Sequence, residues 1–254
     1  MSNALAAEKA AFKKIGELTG GVVFQKPAGF DGGFPDFGYT VTIDGKDIDL
    51  YFEYKMDDNA QMSGISTWSY KNNTFYTSRT DDEAQTIINL MRRDQSLKKN
   101  AQAMVDIVKG LLGRKIGVTF DSGCLGANKR KLIKQFDELV AGNKVLGTIK
   151  SSMLGNTFKN IYINKYKKAK STRSNDSVLL MMIDNKIWML DKDGVTIDEL
   201  KKIRKMLDNK SQTIPAMRSV TCTLGVRIIT RSNGSIETKA LLKLANKVSS
   251  NLTV

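Results

Sequence analysis

GGFPDFGYTVTIDGKDIDLYFEYKMDD, residues 32–58, holds two runs of alternating apolar and polar residues around Asp44-Gly45. Asp-Gly is the favoured central pair of a type I′ turn, whose left-handed backbone matches the twist of the strands it joins. A two-residue loop at that point pairs Ile43 with Lys46 and fixes the register behind it. Phe37, Tyr39, Val41 and Ile43 then share a face with Ile48, Leu50, Phe52 and Tyr54, an apolar surface that must be covered. The other face carries Gly38, Thr40, Thr42 and Asp49. At its far end Asp36 falls opposite Glu53, with Lys55 two places on.

Directly opposed strand residues have Cβ atoms about 5 Å apart, so two ionised carboxylates there repel each other. A divalent cation between them turns the repulsion into binding energy. Oxygen ligands alone suit Mg2+, with Mn2+ as a substitute, and leave positions for water and a phosphate oxygen. An ammonium beside such an ion orients the attacking water and offsets charge growing on a phosphorane-like transition state. Asp49 stands four residues back from Glu53, too far to share the ion.

Pro35-Asp36 followed by Glu53-Tyr54-Lys55 resembles the PD-(D/E)XK nuclease superfamily, the restriction-endonuclease-like fold. The resemblance implies that Asp36 and Glu53 bind the metal and that Lys55 assists the nucleophilic water. It also implies a mixed central sheet flanked by helices, covering roughly the first half of the chain. Many members add a glutamate from the preceding helix, for which Glu8 and Glu17 are the candidates. Leu5, Phe12 and Ile15 form the apolar stripe of that helix, with Glu8 in its middle and Glu17 well off it. A carboxylate on an apolar face needs a partner, so Glu8 is the better candidate for the metal site. The alternative is a solvated acid near a helix end.

The bulk composition restricts the chemistry further. The 254 residues include no histidine and two cysteines, Cys124 and Cys222, too few for a structural zinc site. Every imidazole mechanism is excluded, Ser-His-Asp hydrolysis and histidine nucleases included. Carboxylates, a metal and lysine remain. Lys plus Arg number 40 against 26 Asp plus Glu, giving a formal charge of +14 and a pI near 9.6. Such an excess favours a polyanionic partner, double-stranded DNA above all, because basic side chains release counterions from phosphates. No apolar run reaches the roughly eighteen residues of a membrane span, and no secretory core opens the chain. The expectation is a cytoplasmic protein with no membrane partner.

Patterning predicts a helix over 3–18, a short strand at 22–24, a second hairpin within 65–76 and a helical stretch from 81 to 112 broken near 94–96. Further on it predicts a strand at 115–120, a basic helix over 127–140, a hairpin over 178–190 around Asp184-Asn185 and a helix over 197–207. A strand at 220–230 and a terminal helix at 236–248 complete the chain. The class is α/β, with a restriction-endonuclease-like core at 1–141 and a basic region for DNA binding or dimerisation at 142–254.

The densest basic run, Lys165, Lys167, Lys168, Lys170 and Arg173, is interleaved with Tyr162 and Tyr166 and is the first choice for DNA contact. Lys129, Arg130 and Lys131, with Lys134, form a second cluster, and Lys201, Lys202, Arg204 and Lys205 a third. Each cluster taken alone also reads as a solvated face. Asp57, Asp58 and Gln61 read as a surface loop or a backbone contact, and Met181, Met182, Trp188 and Met189 as core. The function expected is Mg2+-dependent endonuclease cleavage of double-stranded DNA, sequence-specific as in type II restriction or homing enzymes. Junction resolvases and exonucleases would share the site, and a basic DNA-binding protein without cleavage is the non-enzymatic alternative. Cutting both strands calls for two sites, hence a homodimer. No P-loop pattern appears, so no ATP is expected.

Overall fold

A computed structural model of the chain describes residues 3–27, 34–56, 60–61, 63–112, 119–120, 129–140, 143–183, 186–207, 222–231 and 236–244. Contacts divide it into two compact units whose segments alternate along the sequence. The first draws on residues 1–60 and 158–220, the second on 61–157 and 221–245. In this division the chain leaves the first unit, returns to it and leaves again.

In the first unit, helix α1 (Asn3–Thr19) ends where Gly20 takes a left-handed φ of 60° and bonds back to the carbonyl of Gly16 at 2.9 Å. Strand β1 (Val22–Gln25) pairs antiparallel with β2 (Phe37–Ile43), and β2 with β3 (Lys46–Lys55). The turn between β2 and β3 has φ of 52° at Asp44 and 81° at Gly45, and the register runs from Ile43↔Lys46 to Phe37↔Phe52. This is the register expected from the sequence.

Strand β9 (Asp176–Ile183) lies parallel to β3, Ile48 facing Asp176 and Lys55 facing Ile183. Strand β10 (Lys186–Asp193) closes the order β1-β2-β3-β9-β10. A parallel pair needs a long crossover. The run VLLMMI of β9 is buried throughout, as befits a central strand covered on both faces. The hairpin of β9 and β10 is as expected, although Asp184 and Asn185 lie outside the described residues.

Helices cover both faces of this mixed sheet. Ala11 and Ile15 of α1, with Ile203 and Leu207 of α6 (Ile197–Leu207), pack on Phe37, Tyr39, Val41, Leu50 and Phe52. Helix α6 opens with a reciprocal cap. Glu199 N–H donates to Thr196 Oγ1 at 3.2 Å, and Thr196 N–H donates to Glu199 Oε2 at 2.6 Å. On the opposite face lies the segment 158–170 of α5 (Ser152–Lys170), whose Tyr166 shares a hydrogen bond of 2.7 Å with Ser177 and meets the Tyr51 ring at 5.3 Å.

The second unit holds an antiparallel sheet in the order β4 (Ser63–Ile65), β12 (Ile236–Leu244), β11 (Cys222–Thr230) and β8 (Asn143–Ser151). A smaller sheet orders β6 (Thr74–Tyr76), β5 (Ser69–Lys71) and β7 (Thr119–Phe120). Around these lie α2 (Asp82–Arg93), α3 (Gln95–Leu112) and α4 (Lys129–Val140). The break between α2 and α3 falls at Asp94, whose side chain caps α3 by accepting from Leu97 N–H at 2.9 Å. Gly64 holds φ at 154° where a Cβ would stand 2.3 Å from the Ala240 carbonyl oxygen, so β4 can lie this close to β12 only with glycine there.

The terminal helix expected over 236–248 is instead strand β12 as far as Leu244. Ile236, Thr238, Ala240 and Leu242 alternate inward, and pairing on both sides overrides the helical preference of Ala, Leu and Lys. Strand β8 and helix α5 were not legible in the sequence. No described helix is long and apolar enough to cross a membrane.

Candidate functional site

The face of β3 turned towards α5 carries Asp49, Tyr51, Glu53 and Lys55. Asp36 stands just before β2, where its Oδ2 accepts the Tyr54 backbone N–H at 2.7 Å. That bond places Asp36 at the Glu53 end of the strand pair. Glu53 is 2% exposed, and its Oε1 accepts from the Lys55 ammonium at 2.8 Å. Its other oxygen, Oε2, has no hydrogen-bond partner and faces the Lys165 ammonium at 3.9 Å. Both ammonium groups lie beside the buried ring of Tyr162, at 5.3 Å for Lys55 and 5.2 Å for Lys165.

Glu8, buried on α1, joins this cluster electrostatically. Its pKa is raised from 4.5 to about 7, first by burial and then by the charges of Asp36 and Glu53. Its Oε1 is likewise without a hydrogen-bond partner. Glu17, the rival candidate, is exposed and paired with Lys13 one turn back. Burial also raises Asp36 and Glu53, against the lowering pull of Lys55 and Lys165. For Lys55 burial works against the charge, but Glu53, Tyr162 and Asp36 outweigh it and hold the ammonium above its ordinary range. With Glu53, Tyr162 and Asp36 around it, Lys55 stands as a cationic donor.

These residues fit a hard divalent cation by chemistry and charge. All the candidate donors are carboxylate oxygens, two of them buried without partners, and raised carboxyl pKa values are what a cation would reverse. Among the described residues no group of three acidic or cysteine side chains is already gathered as a metal shell. The acids would have to draw together around the ion.

Asp49, on the same strand face, belongs to a separate network. It is fully buried and accepts from Thr40 at 2.6 Å, from Asn175 at 3.1 Å and from the Arg173 guanidinium at 3.0 Å, with a second bond from Arg173 Nε. Burial would raise its pKa, but Arg173, Thr40 and Asn175 more than reverse this and hold it below its ordinary value.

The basic run expected to touch DNA is therefore divided. Lys165 enters the acidic cluster, and Arg173 serves Asp49 while its guanidinium stacks 4.2 Å from the Phe24 ring centroid. Lys170 pairs with Asp193, and Lys168 is exposed but lies over the Phe34 ring at 5.2 Å. Lys167 is exposed. Tyr162 and Tyr166 are buried at 2% and 1% exposure, so neither ring is open for a base to stack on. On α4, Lys131 and Lys134 are exposed, whereas the side chains of Lys129 and Arg130 lie outside the described ones. In the third cluster Lys201 pairs with Asp198, Lys202 with Asp44, and Arg204 is buried.

Asp57, Asp58 and Cys124 lie outside the described residues. Cys222 is a buried free thiol, pushed up to about 12 by burial. Met181, Met182, Trp188 and Trp68 are buried core side chains. The part played by Tyr162 and Lys165 was missed in the sequence. The signal was present in Phe158, Tyr162, Tyr166 and Ala169, spaced as the inner stripe of a helix, with Lys165 on its margin.

No protein-family model, curated protein or solved structure matches this chain.

Proposed function

We propose that this chain is a Mg2+-dependent deoxyribonuclease of the PD-(D/E)XK kind, with a restriction-endonuclease-like core in its first unit. One observation carries the reading. Glu53 is buried with an unpartnered oxygen, bonded to Lys55 and grouped with Asp36 and Glu8 in a cluster whose carboxyl pKa values are all raised. A purely structural cluster of acids would be expected to close its hydrogen bonds. The mixed sheet with helices on both faces is what the resemblance implies.

Asp36 and Glu53 would hold Mg2+ or Mn2+, with Glu8 completing the set. The ion would supply Lewis-acid polarisation of the phosphate and a more acidic bound water. Lys55, kept cationic, donates to the attacking water and offsets charge developing on the phosphate oxygens. Burial of Glu53 excludes bulk water and strengthens each of these interactions. The substrate is double-stranded DNA, cut internally at defined sequences by a homodimer in the cytoplasm.

The test is digestion of a long circular DNA by wild type and Lys55→Ala, with and without Mg2+. Discrete bands from wild type with Mg2+, lost in Lys55→Ala, support the proposal. Mononucleotides released from ends would make it an exonuclease, and cutting only at four-way junctions a resolvase. Equal cleavage by both proteins would remove the catalytic assignment of Lys55, and salt-sensitive DNA binding with no Mg2+-stimulated cleavage would leave a DNA-binding protein.

A further inference from the structure

The two ammonium groups at Glu53 differ in standing. Lys55, 16% exposed, is bonded to Oε1 at 2.8 Å from two residues away on the same strand. Lys165, 21% exposed, comes from α5 on a flexible four-carbon stem and stands 3.9 Å from Oε2. That separation is too long for a hydrogen bond, so only charge attraction holds it. Yet Oε2 has no hydrogen-bond partner. Lys165 therefore is the cation that faces the oxygen a divalent ion would use. Ion and ammonium are both cations drawn to one carboxylate oxygen, so each weakens the hold of the other.

Resting on the nuclease reading, we propose that Lys165 is a phosphate-binding residue of the active site rather than a lysine that tracks the DNA backbone elsewhere. Without metal it neutralises Glu53. When metal and DNA are bound, its ammonium passes from Glu53 to a non-bridging oxygen of the phosphate that the ion holds. Tyr162 is the pivot, since its ring lies beside Lys165 at 5.2 Å and beside Lys55 at 5.3 Å, and its burial fixes it in place. The exchange keeps a positive charge at the cluster in both states, which three neighbouring acids require.

The proposal gives opposite signs for two measurements on one variant. In Lys165→Gln the competing ammonium is gone, so Mg2+ titrated calorimetrically into the full chain without DNA binds about ten-fold more tightly. Cleavage at saturating Mg2+ nevertheless falls by about ten- to a hundred-fold, through loss of a phosphate contact. Lys165→Arg keeps the charge and keeps a Mg2+ affinity near that of wild type. An unchanged or weakened Mg2+ affinity in Lys165→Gln overturns the proposal, as does the same shift in Lys165→Arg. If wild type cuts and Lys55→Ala does not, either result removes this inference alone. Wild type that neither binds Mg2+ nor cuts removes the nuclease reading and this inference with it.

Discussion

Two buried acids stand four residues apart on one face of β3, and the protein treats them in opposite ways. Asp49 is closed off by Arg173, Thr40 and Asn175 and sits below its ordinary pKa. Glu53 keeps an oxygen without a hydrogen-bond partner, has two acids for neighbours and sits above its ordinary pKa. A satisfied acid holds elements together, here joining β2, β3 and the segment after α5. An under-satisfied acid lowers stability and is ready to gain a cation. Burial does not tell the two apart, since both side chains are inaccessible; the state of their hydrogen bonds does.

The widest separation between the two acids should appear in activity. On the proposed nuclease reading, Lys55→Ala should lower Mg2+-dependent cleavage by about 10³-fold with the fold retained by circular dichroism. Arg173→Ala leaves the cleavage chemistry in place in whatever fraction remains folded. Activity that survives in Lys55→Ala but is lost in folded Arg173→Ala would reverse the roles assigned to them.

Stability should show the converse. Arg173→Ala strands the Asp49 charge in the interior and costs about 3 kcal/mol at pH 7, read by denaturant unfolding. Because Asp49 has a lowered folded pKa, its contribution is present above the unfolded value of 3.8 and is lost as pH falls through the folded one.

Glu8 carries the opposite sign. Its folded pKa of about 7 exceeds the unfolded value of 4.5, so burying it costs nothing below 4.5 and progressively more up to about 7. In metal-free protein Glu8→Gln should therefore raise the melting temperature at pH 8, by up to about 3 kcal/mol of stability, and leave it unchanged at pH 4. Saturating Mg2+ should shrink or reverse the gain at pH 8. A melting temperature that falls in metal-free Glu8→Gln at pH 8 would place Glu8 with Asp49 among the structural acids.

The smallest effect belongs to Lys167, exposed on α5 and outside both networks. Lys167→Ala should leave stability within about 0.5 kcal/mol of wild type. DNA affinity should weaken alike for all sequences, and the slope of log affinity against log salt should fall by about one. A strong loss restricted to one sequence would make Lys167 a reader of bases instead.

Much of the acidic site was legible in the sequence because a short hairpin encodes it locally. Asp44-Gly45 dictates the turn, the turn dictates the register, and strand alternation then places Asp36, Glu53 and Lys55 on one side. Glu8 was legible for a similar reason, as an acid within an apolar helical stripe. Lys165 was not, since residues 165–173 read as a uniform basic surface. Only the docking of α5 on the sheet shows that Lys165 and Arg173 point into different acids while Lys167 points outward. The strand at 236–244 was misread because its composition suits a helix, and the deciding term is pairing with β11 and β4, distant in sequence.

The sequence by itself determined the hairpin, its register, the acid-acid-lysine face and the lack of any imidazole, because each depends on residues within a few positions or on composition alone. Tertiary structure decided which acids are satisfied, which lysines enter the site, and that the chain passes repeatedly between its units. Those outcomes depend on partners more than a hundred residues away, Arg173 with Asp49 and Lys165 with Glu53, whose meeting no local pattern records.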